Sequence, residues 1–403
     1  MKILVVCQYY YPESFKVTDV CEALAKNGHN VTVLTGLPKY PTGIVPDEYK
    51  GNKKRDEIIN GVHVIRCYER GRKKGAINLA INYASFYFFA MRLIKKMDKD
   101  FDIVFSYQLS PVFMALPARW YKRKRHVPMF LYCSDLWPES LKVYVKGESN
   151  PIFKWVKSVS RKVYQSADRI ATQSDIFVDY LKDVHGIDEK KLSHIPNFAD
   201  EEYLSMDFTP DDNTVDIVFM GNVGVAQNLE DVVRSFKSAI EQIGDKNLIK
   251  LHIVGGGVRL DDIKKLVKEL GIEDSVKFYG QRPQEEMPDF YKIADACIVS
   301  LKADNMIGLT FPAKVQGYMA AKKPVLGMID GSCKKVINEA SCGICVSAGD
   351  IKGFSDAIVK FSMEKDKWAE YGINSKNYFL KHFRKDIHVK AIEEELKRCI
   401  KDV

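Results

Sequence analysis

Short apolar runs alternate along the chain with longer stretches in which apolar residues recur at helical spacing. The short runs predict buried strands, and the longer stretches predict helices that pack on them. After the first strand, for example, Val17, Val20, Cys21 and Leu24 repeat every three or four residues. This order of strand, helix and strand indicates an α/β protein with parallel sheets. In the first half, strands are predicted at 2–6, 31–36, 62–68, 102–107, 128–133 and 169–174.

The alternation continues in the second half, with strands predicted at 215–220, 249–254, 276–279, 296–301, 324–329 and 343–347. A chain of 403 residues is too long for one ordinary core, so two domains are expected. The polar segment 201–213 is the best candidate for a linker between them. We therefore predict a first domain over 1–200, joined by a closing helix at about 378–403, and a second over 201–377. Similar strand–loop–helix units open both domains and suggest two nucleotide-binding folds that face each other.

The loop after the strand at 215–220 carries Gly221 and Gly224 and leads into an amphipathic helix. Neither glycine has a Cβ, so the backbone can approach a ligand closely there. The helix would direct unpaired N–H groups and its positive dipole end into this loop, which suits phosphate. Glycines also follow the next two strands, in IVGGG (253–257) and in YGQR (279–282). One glycine after a strand is often only a turn, but several at one sheet edge predict a continuous nucleotide cleft.

The first half of the chain is basic and the second half is not. Residues 1–200 hold 32 Lys and Arg against 21 Asp and Glu, whereas 201–403 hold 29 against 32. A positive electrostatic field of this kind could attract nucleic acid, an anionic membrane or an anionic substrate. No nucleic-acid recognition motif accompanies the charge, so we expect no nucleic-acid partner. The opening loop lacks GxGxxG, which argues against a dehydrogenase.

The stretch Ala76–Met97 predicts a long helix that is apolar nearly all round. The simple interpretation is a core helix packed on a sheet. The alternative is partial insertion into a membrane interface, because basic residues at 70–74 and 119–125 flank the helix. No apolar run approaches the roughly 18–20 residues of a membrane span, and the N-terminal run is too short for a signal sequence. We therefore expect a cytoplasmic protein, peripheral on the membrane if the alternative holds.

Candidate catalytic or binding residues occur at two places in the sequence. SDLWPES (134–140) follows the strand at 128–133, at the edge where parallel sheets bind ligands. Asp135 and Glu139 are expected to do chemistry there or, alternatively, to cap helices, and Trp137 offers a sugar-stacking or a packing surface. Lys314 lies in the first turn of a proline-started helix, where its charge opposes the helix dipole. A bound anion would explain that position, and the alternative is a merely solvated lysine.

Neither the cysteines nor the acidic clusters predict a metal site. The nine cysteines are scattered and odd in number, which argues against a disulfide framework. Cys342 and Cys345 form a CxxC without a second pair, so neither metal nor redox chemistry is predicted. DKDFD (98–102) has DxD spacing but precedes a strand, and we interpret it as a turn.

Together these stretches resemble a bacterial family 4 glycosyltransferase of the retaining, GT-B type. The subgroup resembled acts in O-antigen and capsule assembly and includes the N-acetyl-L-fucosamine transferases. The resemblance runs nearly end to end and is carried by YYYPESFKVTD (9–19), GLPKYP (36–41), DLWPES (135–140), IPNF (195–198), MGNVGVAQNLE (220–230), LHIVGGG (251–257), FYGQRP (278–283), ADACIVSL (294–301), FPAKVQGYMAAKKPV (311–325) and EASCGICVSAGD (339–350).

The resemblance implies two facing Rossmann-like domains with a central cleft. The nucleotide-sugar donor would bind mainly to the second domain and the acceptor to the first, with no metal ion and no cofactor. It also implies transfer of an N-acetylated amino sugar from UDP to a lipid-linked glycan, such as an undecaprenyl-diphosphate-linked one. That acceptor would lie at the cytoplasmic face of the inner membrane, where O-antigen and capsule are assembled.

Site residues follow from the same likeness. Donor binding would involve Lys16, Gly221, Asn222, Gly224, Gln227, Gly255, Gly256, Gln281, Arg282, Thr310, Pro312 and Gly317. Acceptor binding would involve Tyr11, Glu13 and Trp137. Catalysis would use Lys314 on the phosphates, while Asp135 and Glu139 position acceptor or sugar hydroxyls.

The sequence departs from the wider family at the usual Glu-x7-Glu pair, whose places are held by Leu309 and Gly317. Gln227 stands where a lysine is usual, and Ser134 stands where many relatives carry a histidine. Two other functions therefore stay open. One is a nucleotide-sugar epimerase or hydrolase of the same architecture, and the other is a non-catalytic subunit of a polysaccharide complex.

Overall fold

The computed structural model describes residues 1–402 except 41, 73–74, 98–99, 144, 146, 206–213 and 303–310. The chain forms two compact units. The first consists of 1–195 and 389–403, and the second is the uninterrupted segment 196–388. Relative to the predicted division, 196–200 and 378–388 lie in the second unit.

The first unit is built on an eight-stranded sheet in the order β3-β4-β2-β1-β5-β6-β7-β8. All neighbouring strands are parallel except β3 and β4. Its strands are β1 (Lys2–Val6), β2 (Asn30–Thr35), β3 (Asp56–Ile59), β4 (Val62–Arg66), β5 (Ile103–Gln108), β6 (Met129–Cys133), β7 (Arg169–Thr172) and β8 (Leu192–His194). Its helices are α1 (Lys16–Lys26), α2 (Ala76–Ile94), α3 (Leu116–Arg125), α4 (Pro151–Ser166), α5 (Asp175–His185) and most of the last helix, Lys385–Lys401.

The second unit is built on a six-stranded parallel sheet in the order β11-β10-β9-β12-β13-β14. Its strands are β9 (Val215–Met220), β10 (Ile249–Val254), β11 (Val276–Gly280), β12 (Ala296–Ser300), β13 (Val325–Met328) and β14 (Gly343–Val346). Its helices are α6 (Leu229–Ile243), α7 (Leu260–Glu269), α8 (Met287–Ile293), α9 (Ala313–Ala320), α10 (Gly331–Ala340), α11 (Ile351–Met363) and α12 (Trp368–His382), followed by the start of α13 (Lys385–Lys401).

In the second unit the strands are apolar in continuous runs because both sheet faces are covered. Ile217 and Phe219 of β9 pack into the cluster on one face, and Val218 and Met220 pack into the cluster on the other. The predicted α/β class and parallel sheets are thus confirmed in both units. In each sheet the strand order reverses beside the first strand of the unit, β1 or β9, and ligands of such sheets bind at the carboxyl ends of strands there.

Two strands were not predicted. The region 37–61, for which no strand is predicted, contains the antiparallel edge strand β3, whose residues Asp56–Ile59 are exposed or only partly buried. A four-residue edge strand that begins with two acidic residues lacks the continuous apolar run that marked the others. The three-residue strand β8 closes the opposite edge of the sheet.

Helix α2 packs on the protein through one face only, and its interpretation as a membrane-interface helix stays a prediction. One face is buried through Leu79, Asn82, Phe86, Ala90 and Ile94. The opposite face exposes Ile77, Ala80, Ile81, Ala84, Tyr87 and Phe88 to solvent. Ile77–Ile94 is long and apolar enough to cross a membrane by length and composition, with mean hydropathy 1.2 and 22% of the window buried. The expectation that no run approaches this length was therefore wrong.

Candidate active site

The predicted glycine loops of the second unit meet at one edge of its sheet. The amide of Gly221, after β9, donates to the carbonyl of Val254 at 2.8 Å. The amide of Gly255, after β10, donates to the carbonyl of Gly280 at 2.8 Å. Hydrogen bonds between backbones thus join the ends of three neighbouring strands in series. The structure brings together the residues that were expected to line the donor phosphates.

Packing between these loops explains two of the glycines. Gly255 has φ 149°, and a Cβ at that position would lie 1.8 Å from the carbonyl oxygen of Gly221. Gly257 has φ 154°, and its Cβ would lie 2.3 Å from the carbonyl oxygen of Val223. No side chain fits at either position, with or without a ligand. At Gly256, by contrast, a Cβ would make only ordinary contact with Gln281.

Asn222, Gly224 and Gln227 form one local group in the loop after β9. The amide of Gly224 donates to Oε1 of Gln227 at 3.2 Å. A Cβ at 224 would lie 2.6 Å from Nδ2 of Asn222. The side chain of Gln227 therefore shapes the loop by accepting a hydrogen bond from the backbone of Gly224. The helix that follows begins with Glu230 and Asp231 in its first turn, so carboxylates already meet its positive end.

Lys314 supplies a positive charge to this loop. It is the second residue of α9, and its Nζ is shielded from solvent without a hydrogen-bond partner among the described residues. The Nζ lies 3.8 Å from the centroid of the Phe219 ring, and a Cβ on Gly221 would be 3.1 Å from it. Burial lowers the pKa of Lys314 to about 7. The neighbouring thiols of Cys297 and Cys333 do not supply a negative charge to balance the ammonium, because burial raises their pKa values and keeps them protonated.

The remaining predicted donor residues have varied surroundings. Nε of Arg282 donates to the carbonyl of Tyr279 at 3.0 Å, so the exposed turn holding Gln281 and Arg282 is anchored to β11. Pro312 immediately precedes α9. A Cβ at Gly317 would lie 2.9 Å from the hydroxyl of Tyr291, which leaves little space there for the glutamate usual in the family. Thr310 lies outside the described residues.

In the first unit, Asp135 follows β6 and has a specific partner. The hydroxyl of Ser110, after β5, donates to Oδ2 of Asp135 at 2.6 Å. Nε1 of Trp137 donates to the same Ser110 oxygen at 3.1 Å. Burial raises the pKa of Asp135, and the Ser110 hydrogen bond opposes that rise. Trp137 is itself buried, so it serves as a packing surface that fixes Ser110 and Asp135.

The partners of Glu139 are Tyr180 and Lys142, and they differ from those of Asp135. The hydroxyl of Tyr180 donates to its Oε1 at 2.6 Å, and the ammonium of Lys142 lies 2.6 Å from its Oε2. The carboxylate is buried and already satisfied by these two partners. Such contacts hold the turn after β6 against α5 and leave less of the side chain for a substrate.

The loop after β1 carries the other predicted residues of the first unit. Tyr11 is exposed, and its carbonyl accepts from Arg66 at 3.1 Å. Glu13 points inward, where its Oε1 accepts the amides of Lys39 at 2.8 Å and Tyr40 at 2.6 Å. Lys16 is the first residue of α1. Glu13 therefore supports the neighbouring loop and does not project into solvent.

Ser110 and Gln108 were missed at the sequence level. Both lie at the end of β5, next to β1 where the strand order reverses. Nε2 of Gln108 donates to the carbonyl of Asp135 at 2.9 Å. Their position in YQLSP, directly after a predicted strand, was the available signal.

Comparison with known proteins agrees with this architecture. The model of Glycosyltransferase Family 4 matches residues 17–203, and that of glycosyl transferases group 1 matches residues 202–378. The colanic acid biosynthesis glycosyl transferase WcaI of Escherichia coli K12, a putative assignment, is 24% identical over 79% of this chain and 81% of its own length. The N-acetyl-α-D-glucosaminyl L-malate synthase of Bacillus anthracis is 24% identical over 51% of this chain, which spans only about half (53%) of that relative.

Among solved structures, Anabaena HepE in complex with UDP superimposes with a TM-score of 0.71 at 13% identity, covering 99% of this chain and 100% of HepE. The fold and the two family matches together define a glycosyltransferase with the GT-B fold. The chain is a glycosyltransferase, and its matches to the Glycosyltransferase Family 4 model and to the glycosyl transferases group 1 model together account for residues 17–378.

Proposed function

We propose that this enzyme transfers a hexose-type sugar from a nucleoside-diphosphate donor to a glycan acceptor, with retention of configuration, in the assembly of a surface polysaccharide. The observation that carries the proposal is Lys314, whose ammonium is buried beside the Gly221 loop and has no hydrogen-bond partner in the part of the chain that the structure describes. Burying a charge without a counter-ion is costly. A diphosphate on the Gly221 loop would supply that counter-ion.

The reaction breaks the bond between the anomeric carbon and the diphosphate oxygen, and the diphosphate leaves with an additional negative charge. The oxygen of the acceptor hydroxyl forms the new bond on the same face of the sugar, and its proton passes to the departing phosphate. Preorganised donors at the leaving group stabilise this step most effectively. Lys314 would take that role, together with amides of the 221–227 loop other than those of Gly221, Val223 and Gly224, which are already bonded within the protein. The proposal therefore needs no metal ion.

Asp135 would hold a hydroxyl of the acceptor or of the transferred sugar. Its carboxyl group lies at the strand edge and is fixed by Ser110, which is itself fixed by Trp137. The Ser110 hydroxyl holds Oδ2 of Asp135 in a fixed orientation, which suits a residue that positions a hydroxyl group. This role is consistent with retention in which the leaving phosphate itself takes the proton.

We propose UDP as the carrier and an N-acetylated amino sugar as the group transferred. The UDP complex of the structurally similar HepE supports the first choice, and the resemblance to N-acetyl-L-fucosamine transferases supports the second. The acceptor would be a lipid-linked glycan, in keeping with the colanic acid relative. These assignments extend the family membership to particular substrates.

Binding and turnover test the proposal separately. We expect UDP to raise the melting temperature of the wild-type protein, and Lys314→Met to abolish most of that rise while the protein remains folded. A panel of UDP-, GDP- and dTDP-sugars with and without lipid-linked acceptors then identifies the reaction, and EDTA should leave it unchanged. Turnover of UDP-sugars without acceptor would indicate the epimerase or hydrolase, and UDP binding without turnover would indicate a non-catalytic subunit.

The proposal includes a membrane-bound acceptor, and α2 supports association of the first unit with lipid. Its exposed face presents isoleucine, alanine, tyrosine and phenylalanine over about three helical turns. Basic residues collect at its C-terminal end, where Arg125 of α3 donates to the carbonyl of Met97 at 3.3 Å. The last turn of α3 also carries Lys122, Arg123 and Lys124. An apolar helix face beside a basic cluster suits an anionic membrane surface.

Flotation with anionic vesicles tests this association. Phe88, 61% exposed on α2, and Ile58, 79% exposed on β3, provide a matched pair. We expect Phe88→Ser to reduce vesicle binding and Ile58→Ser to leave it unchanged, with binding weaker at high salt. Binding that is insensitive to Phe88→Ser, lipid charge and salt would show that α2 does not contact the membrane.

A further inference from the structure

Four large apolar side chains are exposed where three adjacent strands of the first sheet end. Tyr11 follows β1, Tyr40 and Ile44 follow β2, and Tyr68 follows β4. Their exposed fractions are 43%, 54%, 68% and 50%. Single exposed apolar residues are ordinary, but a group of them at a ligand-binding sheet edge indicates a binding surface.

Tyr40 belongs to a compact group of rings. The rings of Tyr9 and Phe15 stack with centroids 4.9 Å apart, and the ring of Phe15 lies 5.3 Å from that of Tyr40. Tyr9 completes the group, edge-on to Tyr40 at 6.5 Å. Tyr9 is buried and Tyr40 is exposed, so one face of the group is anchored in the protein. We call Tyr9, Phe15 and Tyr40 the aromatic platform.

Buried charges hold this platform in place. Glu13 accepts the backbone amides of Lys39 and Tyr40, which fixes the main chain under the Tyr40 ring. The Lys39 ammonium lies 4.5 Å from the centroid of the Tyr9 ring and donates to Oε2 of Glu69 at 2.6 Å. Both side chains of this ion pair are fully buried.

Further hydrogen bonds complete the support. Oε1 of Glu69 accepts from Gln8 at 2.6 Å and from Asn82 of α2 at 2.9 Å. A side chain on Gly36 would lie 1.9 Å from Oε2 of Glu69, so this position requires glycine. Burying an ion pair this completely is rarely justified by stability alone, whereas a fully satisfied polar network rigidifies its surroundings.

We infer that the aromatic platform binds a pyranose ring of the acceptor, with Tyr40 as the contact residue and Lys39 and Glu13 as positioning residues. This inference rests on the proposed sugar-transfer function. The apolar C–H face of a sugar would stack on the Tyr40 ring, and the phenol hydroxyl can bond a sugar hydroxyl. A ring that is already fixed loses little freedom when a ligand binds.

The composition of this edge favours a sugar over a lipid. Three of its four exposed residues are tyrosines, which combine an apolar ring with a polar tip. The exposed face of α2, by contrast, is mostly isoleucine, alanine and phenylalanine. Two surfaces of the same unit thus differ in the chemistry that they offer.

Saturation-transfer NMR on the full chain tests the inference, with the methyl glycosides of N-acetylglucosamine and galactose as probes. The proteins compared are wild type, Tyr40→Ala, Tyr40→Phe, Lys39→Met and Ile58→Ala. Ile58 is the control, because it is a large apolar residue, 79% exposed, that lies on the edge strand β3 and outside the exposed group. UDP affinity and circular dichroism are measured for each protein to report donor binding and folding.

We expect Tyr40→Ala to weaken glycoside binding about fivefold to tenfold, Tyr40→Phe to retain most of it and Ile58→Ala to retain all of it. Lys39→Met should weaken glycoside binding and accelerate amide hydrogen exchange at Tyr40, with UDP affinity unchanged. Undiminished binding in Tyr40→Ala, or no glycoside binding by the wild type, would overturn the inference. Reduced vesicle flotation in Tyr40→Ala with intact glycoside binding would assign the surface to lipid. If the wild type did not bind UDP, that result would instead contradict the proposed function.

Discussion

Nucleotide binding is expected to depend on pH because of Lys314. In the free protein its buried ammonium has a pKa of about 7, and burial is the largest cause. A diphosphate beside it would favour the charged form and raise that pKa. Well below pH 7 the lysine is already charged, so its contribution to the affinity should be nearly constant. Above pH 7 each binding event must take up a proton, and affinity should fall as pH rises.

The magnitude follows from the fraction of protein that carries the charge. With a pKa of about 7, that fraction falls from roughly one half at pH 7 to about one hundredth at pH 9. UDP affinity should therefore weaken by about 50-fold across this interval, or roughly 2.3 kcal/mol. A terminal phosphate with a pKa near 6 is already fully ionised over this range.

Calorimetry measures both the affinity and the proton. Titrations with UDP at pH 8, in buffers with different ionisation enthalpies, should show uptake of about 0.9 protons per nucleotide bound. Lys314→Met should bind weakly with no pH dependence, and Lys314→Arg should also lose the dependence because arginine stays charged. A wild-type affinity that is flat from pH 7 to 9, or a slope that persists in Lys314→Met, would refute this assignment.

Three further predictions concern single positions. Asp135→Asn should lower the rate of sugar transfer by about 100-fold or more, with UDP affinity unchanged, and steady-state kinetics against calorimetry separates the two. Lys39→Met should destabilise the first unit by about 3–5 kcal/mol in urea unfolding, whereas Lys39→Met/Glu69→Gln should recover part of the loss because no charge stays buried alone. Equal losses in both proteins would argue against the ion pair. Gly255→Ala should lower the melting temperature and weaken UDP binding, because its Cβ would strike the carbonyl of Gly221. Gly271→Ala, where φ is also positive but space is open, controls for backbone strain alone.

The sequence predicts the parts of the fold that depend on local pattern. Continuous apolar runs bounded by polar loops identified β1 and β9 with the observed ends, because both strands are buried on two faces. The edge strand β3 was missed because it is only four residues long and two of these, Asp56 and Glu57, are acidic. The exposed face of α2 was also not predictable, since the helix is apolar on every side and only packing decides which side is buried.

The candidate site was predictable in position but not in bonding. Strand ends placed Asp135, Gly221 and Gly255 at sheet edges. The side chains that fix the site come from distant parts of the chain, as when Tyr180 binds Glu139 and Lys39 and Tyr40 bind Glu13. No local spacing encodes such contacts. The glycines of IVGGG were assigned to a close ligand, whereas two of them are required by the neighbouring loop.

The course of the chain through the two units has a practical consequence. The second unit occupies one uninterrupted segment, so 196–388 can be excised without cutting any of its elements except the start of α13. The first unit needs both 1–195 and 389–403, because Arg169 pairs with Glu395 at 2.5 Å and Asn27 bonds Glu393 at 2.9 Å. Truncating the last fifteen residues would therefore damage the half of the protein that is synthesised first, and fluorophores on the two termini would both report on that half.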